Sequence, residues 1–586
     1  MKKKNLIITN QYKPIDKNVS YIGTTSTISF LNTDDNYEKI IFPELKREEI
    51  LNNYAFCNNV SKKLLKSISA NLNSIHNENF QTNFWDIIIG TWLKDYVETM
   101  FKIYSQVKFT LENYEINKII AIKELNYDFS PLDTLYFRKQ INDDQWYFLI
   151  FSKIISFLRA SNNFDFSHES TKDFKDITVL KKNTSNKSIT KIIKIYNFFF
   201  KQIKFFVNFN NYSVITKTML PLHYEKFLEL KNYQLPTFYS SEQIKQNSKK
   251  DNMREKLEFE KNEQDTNFEK FLKENLSKFL PKSCVENYQE IKKIAIGKRF
   301  PENPKFIFTS ESFAYDEVFK IYAAIKKEKK IPFFLGQHGN KYFTRIKNNF
   351  RPETSIADKF ISWGAEKNSF MKSKVEPAFN FKTAGKKFKK ENSKKIILFF
   401  PWVVSNLHSL HTMENDLFNF LIQIKDIILK LDEHIKENII LRFNASYFNN
   451  FFGVKYFDLF KDLKCEYDNG QTPVKNLYKK SKLNFFILES TGVLESFHYK
   501  IPTIFFNEKN FIENINYNYI NKYKMLLNNN ILFTDKKKII NHINVNWEHT
   551  FDWWNSKKEI ITKFNKDLNN YSNIDGIKKL GQILNQ

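Results

Sequence analysis

Two short stretches carry residue types able to do transfer chemistry. The first is Gly336-Gln337-His338-Gly339, directly after the apolar run Ile331-Pro332-Phe333-Phe334-Leu335. Glycines let a backbone approach a ligand closely, and a neutral imidazole can take a proton from a hydroxyl or donate to a phosphate. The same imidazole serves equally well as a hydrogen-bonding group of its own turn. The second stretch is Glu489-Ser490-Thr491-Gly492, with Glu495 one helical turn further on. It stands between the apolar run ending at Leu488 and a helical pattern from Val493. Small hydroxyls between a strand's carboxyl end and a helix start offer caps, free N–H groups and the positive dipole end, which together suit an anion. An ordinary capped helix shows the same pattern. Glu495 is placed to accept from sugar hydroxyls.

Other groups are weaker. Arg442 ends the apolar run Ile439-Ile440-Leu441 and can hold a phosphate bidentately or form a plain ion pair. Asp358 orients a turn or touches ligand. His408 and His411 would have metal-like spacing on a helix, but no cysteine or carboxylate cluster accompanies them. Trp553 and Trp554 read as core anchors. No carboxylate pair is spaced to hold a metal, so metal-independent chemistry with no cofactor is expected.

The elements that must position these groups follow an α/β rhythm. Strands are expected at 305–309, 331–335 and 359–364, with a helix at 316–327 between the first two. A basic, weakly apolar segment, 381–395, reads as a linker. A second α/β run follows: strands at 396–400, 439–443, 482–488, 503–506 and 531–533, and helices at 417–435 and 474–480. A helix over 553–570 ends it. Upstream, strands at 6–9 and 19–22 precede helical patterns at 45–75, 84–114 and 146–158. Residues 160–190 read as loop, 192–209 as a Phe/Lys helix for core or membrane surface, and 241–282 as a charged, protruding hairpin or linker. The expected fold is α/β and GT-B-like, two Rossmann-like domains facing a cleft. Residues 1–380 form the acceptor-side domain with a helical insertion at about 45–290, and 396–545 bind the donor. The segment 546–586 returns toward the first domain.

Composition narrows the class. A chain of 586 residues, 42% hydrophobic with 60 Phe and 28 Tyr, can bury more than one core. Its three cysteines, Cys57, Cys284 and Cys465, are widely separated, which fits a reducing compartment without structural zinc. The net charge of +26 favours anionic partners or reflects scattered solvated lysines, and no compact arginine block points to nucleic acid. The apolar part of the N-terminus, Leu6-Ile7-Ile8, is too short for a signal peptide, and no uncharged run reaches the ~18 residues of a membrane span. A cytoplasmic protein is expected, with peripheral contact to anionic lipid.

The ordered series FTSESFAYDEVFKIYAAIKKEKKIPFFLGQHG, IADKFISWG and ESTGVLESFHYKIPTIFF resembles the transferases of O-antigen and surface-polysaccharide loci. FWDIIIGTWLKDYVETMFKIY is similar to that family's G-P-W-L helix. A more distant similarity is to CDP-glycerol glycerophosphotransferases and to Kdo and nonulosonic-acid transferases. The sequence departs from the pattern at Asn340, Phe343 and Lys359, and Arg442-Phe443-Asn444-Ala445 lacks the usual proline. The resemblance implies transfer of a sugar from a nucleotide-sugar, possibly CMP-linked, to a glycan or lipid-linked glycan acceptor of the bacterial surface. Glycerophosphate transfer and an inactive glycan-binding scaffold are the alternatives. It implies that His338 and Gln337 serve the acceptor, that Gly336, Gly339, Ser490, Thr491 and Arg442 hold the donor's phosphate, that Glu495 holds its hydroxyls, and that Glu489 and Asp358 stand nearby.

Overall fold

The computed structural model describes residues 3–9, 19–24, 37–123, 127–159, 164–169, 212–236, 252–297, 300–366, 370–385, 388–389, 391, 393–403, 409–413, 417–449, 451–570 and 574–586. Every strand pair in it is parallel, and the strands form three sheets. The first sheet holds β1 (Lys4–Ile8), β2 (Tyr21–Gly23), β3 (Tyr37–Lys39), β4 (Ile116–Lys123) and β5 (Phe164–Glu169), in the order β3-β2-β1-β4-β5. The middle sheet runs β10-β9-β8-β7-β6, from β6 (Val214–Thr216), β7 (Ile307–Thr309), β8 (Phe333–Gly336), β9 (Lys359–Ser362) and β10 (Lys374–Pro377). The last sheet holds β11 (Lys395–Phe399), β12 (Ile439–Arg442), β13 (Glu466–Asp468), β14 (Ser481–Ile487), β15 (Thr503–Phe506) and β16 (Leu532–Phe533). Its order, β13-β12-β11-β14-β15-β16, is the doubly wound one in which ligands sit at the carboxyl ends.

The middle and last sheets meet at those ends. The turn after β8 touches the turn after β14: Gly339 lies against Thr491, whose Oγ1 accepts from the Asn340 N–H at 3.3 Å. This is the GT-B-like arrangement expected. The first sheet is an addition to it, and it corrects the reading of 45–290 as a helical insertion. β4, β5 and β6 all lie in that range. The β-branched residues Ile116, Ile119, Ile120 and Ile122 suit a strand, but the long helix before them masks the change of period.

Helix α1 (Arg47–His76) and helix α2 (Thr82–Asn113) pack together, and α2 also packs on α3 (Glu317–Glu328) of the middle sheet. α2 buries Trp85, Trp92, Tyr96 and Met100, none exposing any surface. Along with them it buries Asp95, Glu98 and Lys102, a polar stripe at helical spacing. The later part of the supposed protruding hairpin is core instead, while most of 252–266 is exposed. Helix α4 (Asn267–Phe279) buries Phe268, Phe271, Leu272, Leu276 and Phe279, an apolar face at i, i+3, i+4, i+8 and i+11 hidden among charges. The 417–435 helix breaks into Leu417–Leu429 and Glu433–Lys436. The terminal segment is not one helix but Thr550–Ser556, Lys558–Asn565 and Ile574–Asn585. Asn570 donates to the Trp363 carbonyl of the middle sheet at 2.8 Å, and Ile577 and Leu580 share a core with Leu228. The 192–209 reading and His408 lie outside the described residues. No described helix is long and apolar enough to cross a membrane.

Candidate active site

Gly336 closes β8 where no side chain fits: a Cβ there would stand 2.7 Å from the Phe381 ring. Gln337 is buried, and both ends of its amide make hydrogen bonds. Nε2 donates to the Gly339 carbonyl at 2.8 Å, and Oε1 accepts from the Trp363 N–H at 2.9 Å. Gln337 therefore fixes the turn and the end of β9.

His338 is held by a relay that its turn motif alone does not reveal. Its Nδ1 lies 2.6 Å from the Tyr342 hydroxyl, which lies 3.0 Å from Glu353 Oε1. Glu353 is ion-paired with Arg351, whose guanidinium lies over the Tyr342 ring at 4.6 Å. A carboxylate only accepts, and a phenol has one proton. Tyr342 thus donates to Glu353 and accepts from His338 Nδ1–H, which assigns the tautomer and leaves Nε2 with the lone pair. Burial, and then Arg351, Lys382 and Arg138, hold the imidazole pKa well below its usual value, opposed by the Ser310 carbonyl. His338 is neutral in the unliganded protein. Arg138, one of those cations, is itself held on α2 by Asp95 at 2.5 Å and donates to the Tyr315 hydroxyl.

Across the junction, Leu488 adopts φ 67°, a left-handed conformation unusual for leucine, and re-aims the chain after β14. Helix α5 (Thr491–His498) then begins with Ser490 at its N-cap, and the Ser490 side chain makes no cap hydrogen bond. Ser490 and Thr491 both keep part of their surface exposed. Glu495 faces Tyr478 and Tyr499, whose hydroxyls its charge pushes to higher pKa after burial has done most of the work.

Three expected site residues have other duties. Glu489 is buried in an ion pair across the junction: Arg345 Nη2 and Nε donate to Oε2 at 2.7 and 3.2 Å, and Tyr523 donates to Oε1 at 2.5 Å. Arg345 also lies flat over Phe511, 3.8 Å from its centroid. Glu489 ties the two sheets together, with both its oxygens engaged in doing so. Arg442 donates to the carbonyls of Phe443, Gly470 and Thr472 and pairs with Asp468 at 2.9 Å, so it braces the loops beyond β12 and β13 instead of awaiting phosphate. Asp358 stands at the opposite end of the middle sheet, accepting from the Phe333 N–H at 2.8 Å and from Lys327 at 2.6 Å. The groups that sequence reasoning passed over are Tyr342, Arg345, Arg351 and Glu353. Their signal was a run of hydrogen-bonding side chains within 15 residues of His338, without a motif to single them out.

A family model described as "LIC12162 family transferase" matches residues 17–578, nearly the whole length. The chain belongs to the LIC12162 family of transferases. It is therefore an enzyme of group transfer, with its two facing sheets spanned by the matched region. None of the curated protein sequences compared with it matches significantly. Among solved structures it is similar to the wall teichoic acid polymerase TagF, at 13% identity and a TM-score of 0.30, over 50% of this chain and 84% of that one. It is also similar to MurG of Acinetobacter baumannii, at 9% identity and a TM-score of 0.26, over 61% and 86%. Among the described residues no group of His, Cys, Asp and Glu is placed to hold a metal ion.

Proposed function

We propose that this LIC12162-family transferase moves a sugar from a nucleotide-sugar donor to a bacterial surface-glycan acceptor. The observation that carries the reading is the meeting of the two turns. The Gly339–Asn340 backbone touches Thr491 at the N-terminus of α5, one residue from a histidine with a relay behind it. Ser490, Thr491 and the α5 dipole take the donor's phosphate. Trp402, 65% exposed just past β11, offers the base a stacking face. Glu495 takes sugar hydroxyls.

His338 Nε2 accepts the acceptor hydroxyl's proton. Imidazolium formation is supported by Nδ1–H donating to Tyr342 and, through it, to Glu353. The neighbouring cations that keep His338 neutral are offset once the donor's phosphates arrive, which raises its basicity at the moment of transfer. The basic excess of the chain suits a cytoplasmic enzyme that meets its acceptor at an anionic membrane face.

A thermal-shift panel of CMP-, CDP-, UDP-, GDP- and dTDP-linked donors tests this. A true donor at 100 times its dissociation constant adds about 2.7 kcal/mol. The reading fails if no member of the panel stabilises the protein.

A further inference from the structure

Asn340 stands at the meeting of the two turns with one side-chain donor unused. Its backbone N–H donates to Thr491 Oγ1 at 3.3 Å, which is long for such a bond. Its side-chain Nδ2 is buried and has no acceptor. Lys341 follows at φ 76°, a left-handed conformation that costs a lysine free energy, so the chain bends sharply just past Asn340. Buried donors without partners are rare in folded proteins, and strained turns gather where ligands bind.

A cavity adjoins this contact. Gln337, Asn340 and Thr344 wall it from the middle sheet, Glu489 and Leu494 from the last sheet, and Asp567 from the terminal segment. The acceptors in that wall are committed. Glu489 Oε2 accepts from Arg345 and Oε1 from Tyr523, and Gln337 Oε1 accepts from the Trp363 N–H. Asp567 is half exposed, 3.8 Å from Lys522. The donors are not committed. Besides Asn340 Nδ2, the hydroxyl of Thr344, 4% exposed, makes no hydrogen bond, and the Tyr523 hydroxyl beside it already gives its proton to Glu489.

Two properties narrow the guest. The cavity measures about 20 Å³, room for one water-sized group and too little for a phosphate or a sugar ring. Its charges are matched, with Glu489 on Arg345 and with Lys341 in the field of Glu489 and Glu508, so a neutral oxygen suits it better than a second anion. The fitting guest is a single acceptor oxygen, carried by a molecule that is itself held in the cleft.

We propose that Asn340 is a specificity-determining residue for the transferred group. Its Nδ2 donates to one hydroxyl or amide-carbonyl oxygen of the donor's sugar, which enters this cavity while the phosphate rests on Ser490 and Thr491. The assignment rests on the transfer reading above and adds the sugar's second contact, from the sheet opposite Glu495. A sugar without that oxygen leaves a buried donor unpaired and is rejected for that reason.

The test is calorimetry on the full chain with bare and sugar-linked nucleotides in pairs: UDP with UDP-glucose and UDP-N-acetylglucosamine, GDP with GDP-mannose, dTDP with dTDP-glucose, and CMP with CMP-N-acetylneuraminate. Asn340→Leu keeps the side chain's shape and removes its polar atoms. The sugar-linked nucleotide that the wild type binds best should lose at least about tenfold in this variant, while its bare nucleotide stays within about threefold. Asn340→Gly should lose the same preference. Asn340→Leu should melt at or above the wild-type temperature, because an unpaired buried donor has been removed. Equal losses for the bare and the linked nucleotide would place Asn340 on the phosphate and overturn the assignment. Unchanged binding in both variants would mean that the amide holds only a water, and would overturn it as well. So would a lowered melting temperature in Asn340→Leu, which would show that the amide has a partner within the fold. If the wild type binds no pair, the transfer reading falls and this assignment with it; binding that both variants leave intact removes this assignment alone.

Discussion

Replacing Tyr342 with phenylalanine removes one oxygen from the middle of the His338 relay. The ring stays, so packing against Phe360 at 5.2 Å between centroids is retained. Two buried polar groups change. Glu353 keeps Arg351, but His338 Nδ1 loses its acceptor. Leaving one buried donor unsatisfied costs about 1–3 kcal/mol of stability. In the transition state the imidazole becomes charged, and a hydrogen bond to a charged group is worth roughly 1.5–3 kcal/mol, so turnover should fall about 10- to 150-fold. His338→Ala should cut it further, by roughly 10²–10⁴. Nucleotide release from a donor found by thermal shift is the assay. The Michaelis constant should change little, because Tyr342 touches histidine and not substrate. The double variant Tyr342→Phe/His338→Ala should be no slower than His338→Ala alone, since the two act as a unit. Turnover within twofold of wild type in a folded Tyr342→Phe protein would refute the relay. So would additive losses in the double variant.

Three further outcomes follow from the site and its supports. Glu489→Gln leaves Arg345 buried without its counter-charge and should cost about 3–5 kcal/mol in chemical denaturation, whereas Arg345→Met/Glu489→Leu should recover most of it; a cost below about 1 kcal/mol for Glu489→Gln would return Glu489 to the ligand site. Ser490→Ala/Thr491→Ala should weaken donor binding while costing only about 1 kcal/mol of stability for the lost Asn340–Thr491 hydrogen bond, and an unchanged dissociation constant in calorimetry would remove the α5 turn from the phosphate site. Burial, then Lys557, pushes His542 down to about 4, so the unfolded chain gains a proton below pH 6.5 that the fold does not. The stability this histidine contributes is complete above pH 6.5 and is lost as pH falls toward 4, by roughly 3 kcal/mol, and His542→Gln should flatten that acid limb in pH-dependent denaturation.

The strands of the last two sheets other than the edge strands β6, β10 and β13 were legible because parallel strands covered on both faces are short apolar runs closed by glycine, proline or small polar residues. Phe333–Gly336 and Ser481–Ile487 are of that kind, and the turns that follow them are where the sheets meet. What stayed hidden depends on long-range pairing. β4 becomes a strand by pairing with β1, more than 100 residues earlier, and nothing local separates its isoleucines from the helix before them. Arg442 and Glu489 misled for one physical reason. A charged side chain at a strand's carboxyl end reads as a ligand group, but the same place is where loops and neighbouring sheets must be fastened. Whether a guanidinium faces a carbonyl cage or a cleft depends on residues such as Gly470 and Thr472, nearly 30 positions away.

The first sheet and its helices give the site more than bulk. α2 carries Asp95, Glu98 and Lys102 on one buried face. Asp95 anchors Arg138, one of the cations that keep His338 neutral, and Lys102 reaches the segment beyond β11. One helix outside the two facing sheets thus bears on both the middle-sheet histidine and a loop of the last sheet. Buried charges on such a helix cost free energy unless each finds a partner, and those partners lie on both sides of the cleft. The helix that resembles a family signature in the sequence is, in the fold, an element in contact with both halves.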